Sequence, residues 1–206
     1  MLERLGHGDS DHPAGIFTAG LPGSGKTEFT VELMQELDIK PLRLDMDEFA
    51  EMIEGYRPQV ADAFRKGASS ILNEVYTKTI RSRVNFLFDG TMAHGHALEN
   101  VGRAVKRGYT IKIYYIHQDP ARAWHFTQDR ELLEKRGIKR EGFIDTYCQL
   151  YENLRALQKL DLNVTISVVI KGDDNKIKQR LENVTDIFAH TGPILSRSEL
   201  ERVIIG

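Results

Sequence analysis

The stretch AGLPGSGKTEF, residues 19–29, decides the fold of this chain. Residues 20–27 match the pattern G-x-x-x-x-G-K-[ST] at every required position, after an apolar run and before a helical spacing of apolar residues. In this context the pattern is typical of a loop whose backbone N–H groups hold phosphates at the start of a helix. A glycine-rich turn without a ligand is the weaker alternative. We therefore predict a binding site for a nucleoside triphosphate.

Each position of this loop has a predicted role. Gly23 and Gly25 let the backbone curl inward with no side chain in the way of a phosphate. We expect Lys26 to reach the β- and γ-phosphates and the Thr27 hydroxyl to bind Mg²⁺. The predicted nucleotide-binding residues are Gly20, Leu21, Pro22, Gly23, Ser24, Gly25, Lys26 and Thr27.

Short apolar runs alternate along the chain with longer segments of helical spacing. In one such segment Leu98, Val101 and Val105 recur at helical spacing, and Gly108 follows as it does after many helices. Strands separated by helices of this length predict right-handed crossovers and a largely parallel sheet with helices on both faces. The expected fold is a three-layer α/β P-loop NTPase fold with about five mostly parallel strands. These strands are predicted in residues 15–20, 41–45, 85–90, 109–117 and 163–172.

The organisation of the chain predicts one domain. No linker-like or repetitive segment divides its 206 residues, so we expect a single domain over 1–206. Within it we distinguish an N-terminal extension (1–14), a core (15–172) and a C-terminal segment (173–206). In that last segment Ser198 is a candidate N-cap for a short helix.

The charge balance and the cysteine content exclude several classes of protein. A net charge of −2 argues against a general nucleic-acid-binding protein, which would carry a surplus of Lys and Arg. The single cysteine, Cys148, cannot form an internal disulfide and favours a reducing compartment. No stretch approaches the ~20 apolar residues of a membrane span, and residues 1–13 lack the apolar core of a secretory signal. We expect a cytoplasmic protein that has neither nucleic acid nor a membrane as its partner.

Acidic residues follow two of the predicted strands, at the sheet edge where ligands bind in such folds. Asp89 ends the run NFLFD and can hold Mg²⁺ through water beside the phosphate loop, although Asp89-Gly90 is also a favourable turn. Asp45 and Asp47 follow the second strand. A carboxylate there can accept the proton of an incoming hydroxyl. We assign this chemistry to Asp47, and helix capping or support to Asp45, with Glu48 completing a capping box.

Cations cluster in residues 122–140, RAWHFTQDRELLEKRGIKR. A transferring phosphoryl group needs cations to neutralise its oxygens, and Arg suits this because it stays ionised and offers a planar fork of donors. Interleaved acidic residues leave a solvated helix face as the alternative for any one of these cations. We expect a helical lid in which at least one arginine acts. Its basic residues are Arg122, Arg130, Lys135, Arg136, Lys139 and Arg140.

Two functions from different classes are open on these residues. The chain length and the carboxylates favour a small-molecule kinase that transfers a γ-phosphoryl group to an alcohol. The alternative is a plain NTPase or a nucleotide-binding regulatory module. A kinase should consume ATP only when its acceptor is present, whereas an NTPase should release phosphate without an acceptor.

Taken in order, the motifs resemble the zeta toxin family, bacterial kinases related to small P-loop kinases such as chloramphenicol phosphotransferase. The resemblance covers residues 15 to about 160. The chain departs from the family pattern in the third motif, where Ala93 occupies the position of a frequent basic residue and His94 is a candidate replacement for that residue. The motifs that carry it are GLPGSGKTEF (20–29), LDMDEF (44–49), NFLFDGT (85–91) and an Arg-containing helix closing near RGIKREGFIDTY (136–147).

The resemblance implies an activity and a partner. Family members use ATP or GTP with Mg²⁺ to phosphorylate the sugar 3′-hydroxyl of UDP-N-acetylglucosamine or a related UDP-amino sugar. A small antitoxin blocks their nucleotide site, and for this chain a separate protein would have to supply it. Relatives of the same fold phosphorylate other acceptors, including antibiotics and dinucleotides.

The resemblance also implies roles for individual residues. It makes Asp47 the base for the sugar hydroxyl. Arg130 and Arg140 match the two lid arginines of the family by helix position. Asp89 and Thr91 match an acid and a hydroxyl that contact substrate, so a substrate-binding role for either competes with magnesium binding by Asp89.

Overall fold

The computed structural model describes residues 12–38, 40–134, 137–160 and 164–204. One six-stranded sheet lies at its centre. The strands are β1 (Ala14–Ala19), β2 (Leu42–Asp45), β3 (Phe86–Asp89), β4 (Thr110–His117), β5 (Val164–Lys171) and β6 (Ile177–Leu181). Their order across the sheet is β2-β3-β1-β4-β5-β6; β1 to β5 are parallel, and β6 is antiparallel to β5.

Helices connect the parallel strands. The helices are α1 (Lys26–Glu36), α2 (Met46–Glu51), α3 (Ala61–Arg81), α4 (Ala97–Val105), α5 (Pro120–Glu134), α6 (Arg140–Lys159) and α7 (Arg197–Val203), with a short 3₁₀ turn at Pro58–Val60. The predicted three-layer α/β fold is confirmed, and each of the five predicted strands overlaps an observed one. Gly108, at φ 80°, follows α4 as expected.

The sixth strand, β6, is absent from the sequence prediction. Its residues, IKQRL, carry three polar side chains, and none of its residues is fully buried. An edge strand of this kind lacks the apolar run that marks a buried strand, so the apolar pattern misses it. A turn over residues 172–176 joins it to β5, with Gly172 N–H donating to Lys176 O over 2.8 Å.

The sheet packs against helices on both faces because its strands alternate their side chains. Phe86 and Phe88 of β3 belong to the larger core, together with residues of α3, α4 and α6. Leu87, between them, faces the smaller core, which Phe29 and Leu33 of α1 complete. The period of two along β3 thus builds two separate apolar layers.

The parallel strands bring their carboxyl ends to one edge of the sheet. The phosphate-loop sequence follows β1, and Asp45 and Asp89, the last residues of β2 and β3, are directly paired in register. His117 and Lys171 end β4 and β5. This edge therefore gathers the acidic residues that the sequence placed after two strands.

The C-terminal segment packs onto the core through α7. Leu200 and Ile204 are fully buried in the larger core, and α7 lies against α5 and α6. The N-cap of α7 is Ser196, whose hydroxyl forms a capping box with Glu199. The expected cap at Ser198 is therefore wrong by two positions, because α7 begins at Arg197 and Ser198 lies inside its first turn.

Candidate active site

The phosphate loop has the conformation that its glycines allow. Gly23 and Gly25 have φ of 76° and 78°, in the left-handed region that favours glycine. A Cβ on Gly23 would lie 2.1 Å from the main-chain oxygen of Ala123 in α5, so no side chain fits there. Helix α1 begins directly after Gly25. The loop thus presents the positive N-terminal end of α1 at the carboxyl edge of the sheet.

Lys26 folds back over this loop. Its ammonium Nζ donates to Gly20 O over 3.1 Å and to Leu21 O over 2.7 Å. Burial lowers the pKa of Lys26 to about 8, while the Asp89 carboxylate opposes that shift. Because this pKa lies only slightly above neutral pH, Lys26 is still mostly protonated at neutral pH.

Charges from three other elements act on Lys26. Asp89 and Asp47 favour its protonated form, and Arg130 disfavours it. These residues belong to β3, α2 and α5 respectively. The structure therefore places Asp47, Asp89 and Arg130 within electrostatic range of Lys26.

Asp89 is buried and both of its carboxylate oxygens have partners. Thr18 donates its hydroxyl to Oδ1 over 3.0 Å, and Arg43 donates Nη2 to Oδ2 over 2.7 Å. The Thr18 hydroxyl oxygen also accepts from the N–H of Gly90 over 2.9 Å. The Asp-Gly step that the sequence read as a turn is thus held to β1 by one threonine.

Asp45 is the N-cap of α2, as predicted. Its Oδ1 accepts from the N–H of Asp47 over 2.9 Å. Burial raises the pKa of Asp45 to about 6, and the neighbouring Asp89 carboxylate adds to the rise. The predicted capping box is not formed, because the Glu48 carboxylate pairs with Arg43 over 2.7 Å instead.

Arg43 is a site residue that the sequence analysis missed. It lies in β2 two positions before Asp45, so both side chains lie on the same face of the strand. Its guanidinium contacts three carboxylates: Asp45 over 2.9 Å, Asp89 over 2.7 Å and Glu48 over 2.7 Å. A charged residue inside a short strand, in phase with the acid that ends it, was the available signal.

Thr91 connects the third motif to the phosphate loop through its main chain. Its carbonyl accepts from the N–H of Gly20 over 3.2 Å, and its hydroxyl accepts from the N–H of Ala93. The next residue, Met92, has a left-handed φ of 57°. Asn153 of α6 stabilises that turn by donating to Met92 O over 2.8 Å. Thr91 therefore lies directly beside the loop.

The two predicted lid arginines occupy different surroundings. Arg130 lies in α5 and acts on Lys26, as described above. Arg140 is the first residue of α6, and its guanidinium donates to Glu201 O over 2.6 Å and to Ile204 O over 3.3 Å. Arg140 thus contacts the end of α7.

The other basic residues of the predicted lid, residues 122–140, also lie in different surroundings. Arg122 pairs with Asp173 of the β5–β6 turn over 3.1 Å. Lys139 is the N-cap residue of α6. Lys135 and Arg136 lie outside the described residues.

The β5–β6 turn forms the other rim of the phosphate loop. Lys171 is only 8% exposed, and a Cβ on Gly25 would lie 2.9 Å from its Nζ. Burial lowers the pKa of Lys171. Gln118, which follows β4, donates to Gly172 O over 2.9 Å and to Asn175 over 3.3 Å. The sequence analysis assigned none of these residues.

Two findings on the described ranges concern metals and membranes. No group of three or more His, Cys, Asp or Glu residues there is arranged to hold a metal ion. None of the helices in those ranges combines the length and the apolar character needed to cross a membrane.

The fold and the loop geometry define the class of this protein: an α/β P-loop protein with kinase-like architecture. Within that class the chain belongs to the zeta toxin family, because the Zeta toxin family model matches residues 3–183. No curated protein sequence matches the chain.

Solved structures show the same fold at low sequence identity. A structure from the PezAT chromosomal toxin–antitoxin system of the human pathogen Streptococcus pneumoniae matches with a TM-score of 0.68 and 19% identity, over 100% of this chain and 83% of that one. A structure of AvrRxo1-ORF1:-ORF2 with ATP matches with 0.61 and 11%, over 88% and 59%. A structure of the Pnkp1/Rnl/Hen1 RNA repair complex matches with 0.56 and 16%, over 86% and 51%.

Proposed function

We propose that this chain is a kinase that transfers the γ-phosphoryl group of ATP or GTP to a hydroxyl of a UDP-amino sugar. The observation that carries the proposal is that the charges of Asp47, Asp89 and Arg130, from three different elements, all act on Lys26 of the phosphate loop. A module that only holds a nucleotide would need the phosphate loop and Lys26. A carboxylate near the γ-phosphate serves a further purpose, because it can accept the proton of a hydroxyl that attacks this phosphate.

The donor nucleotide binds through residues 20–27. The N–H groups of this loop and the N-terminus of α1 hold the phosphates, and Lys26 exchanges its two loop carbonyls for β- and γ-phosphate oxygens. The AvrRxo1 structure with ATP, which shares the fold, supports a nucleotide as donor.

The oxygen groups beside the loop fit a magnesium ion. Thr27 is exposed in the first turn of α1, and hydroxyl and carboxylate oxygens are the ligands that Mg²⁺ prefers. Thr27 would hold the ion directly. Asp89 would hold it through water, since both of its oxygens already accept hydrogen bonds. The ion, when bound, neutralises charge on the phosphate oxygens.

Asp47 acts as the general base. It accepts the proton of the acceptor hydroxyl while that oxygen attacks the γ-phosphorus, and the β–γ bridging oxygen leaves with the nucleoside diphosphate. Arg130 and Lys26 neutralise the oxygens of the transferring group. Asp89 and Thr91 lie next to this position and contact the acceptor.

The second lid arginine stays a prediction. For Arg140 to reach a transferring phosphoryl group, its guanidinium would have to leave the carbonyls of Glu201 and Ile204. We therefore route no step of the transfer through Arg140.

Membership of the zeta toxin family supports a role as the toxin of a toxin–antitoxin pair in the cytoplasm. The PezAT system, which shares the fold, is such a pair. We propose a separate antitoxin protein as the partner of this chain.

A transfer assay tests the proposed function. The purified chain is incubated with γ-labelled ATP or GTP, Mg²⁺ and a panel of nucleotide sugars, antibiotics and dinucleotides, with Lys26→Ala as the matched inactive control. We expect label on a UDP-amino sugar, identified by mass. Label that appears only as inorganic phosphate would favour an NTPase, and label on another acceptor would retain the kinase and replace the substrate.

A further inference from the structure

Arg43 holds three carboxylates that come from three different parts of the site. Asp45 ends its own strand, Asp89 ends the neighbouring strand β3, and Glu48 lies in the first turn of α2. The side chain of Arg43 is 23% exposed, so these contacts are partly shielded from water. Shielded contacts of an arginine fork fix geometry more firmly than surface ion pairs do.

Residues on both sides of Asp47 in the sequence contact Arg43. Asp45, two residues before it, uses one oxygen for the Asp47 N–H and the other for Arg43. Glu48, the next residue, binds Arg43 directly. Since both sides of Asp47 are tied to one guanidinium, Arg43 determines where the start of α2 lies relative to β3.

Arg43 also separates like charges. Asp45 and Asp89 are opposite each other in the register of β2 and β3. The charged groups that face Asp45 are Arg43 of β2, Asp47 of α2 and Asp89 of β3, and Arg43 is the cation among them. Removing it would leave three carboxylates facing one another.

We propose that Arg43 is a positioning residue for the phosphoryl transfer, which holds the start of α2, and with it Asp47, beside the end of β3. This inference rests on the proposed function, since it gives Asp47 its direction as the base. Arg43 would act through the carboxylates that its guanidinium contacts.

Arg180 provides the matched control. It lies on β6, the opposite edge strand of the same sheet, is 28% exposed and pairs with the single carboxylate of Glu36 over 3.0 Å. The variants Arg43→Met and Arg180→Met therefore remove comparable side chains from the two edges. Arg43 contacts carboxylates of the candidate site, whereas Arg180 contacts Glu36 at the C-terminal end of α1.

The experiment measures kcat and the KM of the donor for both variants and for Arg43→Lys. We expect Arg43→Met to lower kcat by about 100-fold, the usual effect of an ångström-scale misplacement, with a donor KM within about twofold of the wild type. Arg180→Met should change neither value.

Arg43→Lys separates charge from geometry. It should recover only part of kcat, because an ammonium keeps the charge but cannot hold three carboxylates in a planar fork. A kcat for Arg43→Met that matches that of Arg180→Met would overturn the proposal.

Two further measurements cover unfolding of the variant and failure of the proposed function. If Arg43→Met does not fold, the variant Glu48→Ala replaces it, because it removes only one of the three contacts of Arg43, from a half-exposed partner. This variant should lower kcat several-fold without changing the KM of the donor. An unchanged kcat would overturn the proposal. If the wild type transfers no phosphoryl group, the proposed function fails. Amide NMR chemical shifts then test Arg43 separately. The amide signals of residues 46–48 should shift in the folded Arg43→Met protein, and signals that match those of Arg180→Met would overturn its role in placing α2.

Discussion

The two halves of the candidate site are built in different ways. The donor half is one continuous loop, residues 20–27, and its shape comes from main-chain bonds and from two glycines in left-handed conformations. The acceptor half is assembled from side chains on the contiguous β2–α2 segment, on β3 and on α5, three stretches that are separate in sequence. The donor half thus consists of consecutive residues, whereas the acceptor half is assembled only when the sheet forms.

This difference determines how each half responds to substitution. A phosphate loop depends on backbone conformation, so most side-chain changes outside Lys26 and the glycines leave its amides in place. A set of ionised side chains depends on each member, because removing one leaves its buried partner without a compensating charge. The acceptor half should therefore be the more sensitive to single charge changes.

The largest expected effect separates the two halves directly. Asp47→Ala should lower the transfer rate by about 10²–10⁴-fold, the usual contribution of a general base, and leave nucleotide affinity within about threefold. Lys26→Ala should lose both nucleotide binding and transfer. Calorimetric titration with ATP and the labelled transfer assay measure the two quantities. If Asp47→Ala keeps most of the transfer rate, or loses nucleotide binding, the division into two halves is wrong.

A smaller effect, on the donor half alone, follows from the lowered pKa of Lys26. Below its pKa of about 8 the lysine carries the proton that phosphate binding requires, and above it the free protein must take up a proton to bind. The Kd for ATP should therefore be flat near neutrality and rise by about tenfold per pH unit above the pKa. Lys26→Met should bind weakly and without this slope, and a wild-type Kd that stays constant at high pH would contradict the assignment.

The smallest expected effect sharpens the boundary of the site. Arg140→Met should lower the free energy of unfolding by about 1.5–3 kcal/mol, because its charged guanidinium bonds two carbonyls at the end of α7. Arg202→Met, which removes a bond within α7, is the control and should cost less. Thermal unfolding measures stability, and transfer per folded molecule measures the role in the lid. A lower transfer rate of Arg140→Met at an unchanged free energy of unfolding would contradict this prediction and support a role for Arg140 in the lid.

The sequence predicted the donor half well because its information is local. Glycine spacing, the lysine and the flanking strand and helix patterns all lie within a short stretch around residue 25, and the structure has them as expected. Asp45 as a helix cap was predictable for the same reason.

Other features could not be predicted because they depend on pairing between distant elements. The sixth strand has the polar composition of an exposed edge. Arg43 becomes a site residue only through the register that sets β2 beside β3, and this register is not written in either strand alone. Arg140 matched a family position by helix placement, whereas its contacts depend on where α7 packs.

One feature of the donor half has a consequence for synthesis of the chain. The phosphate loop leaves the ribosome well before β5, yet Gly25 lies against Lys171 and the turn that follows β5. The donor cleft therefore stays without one wall until β5 and this turn have emerged. A growing chain that carries the complete loop sequence but not yet β5 should not retain nucleotide.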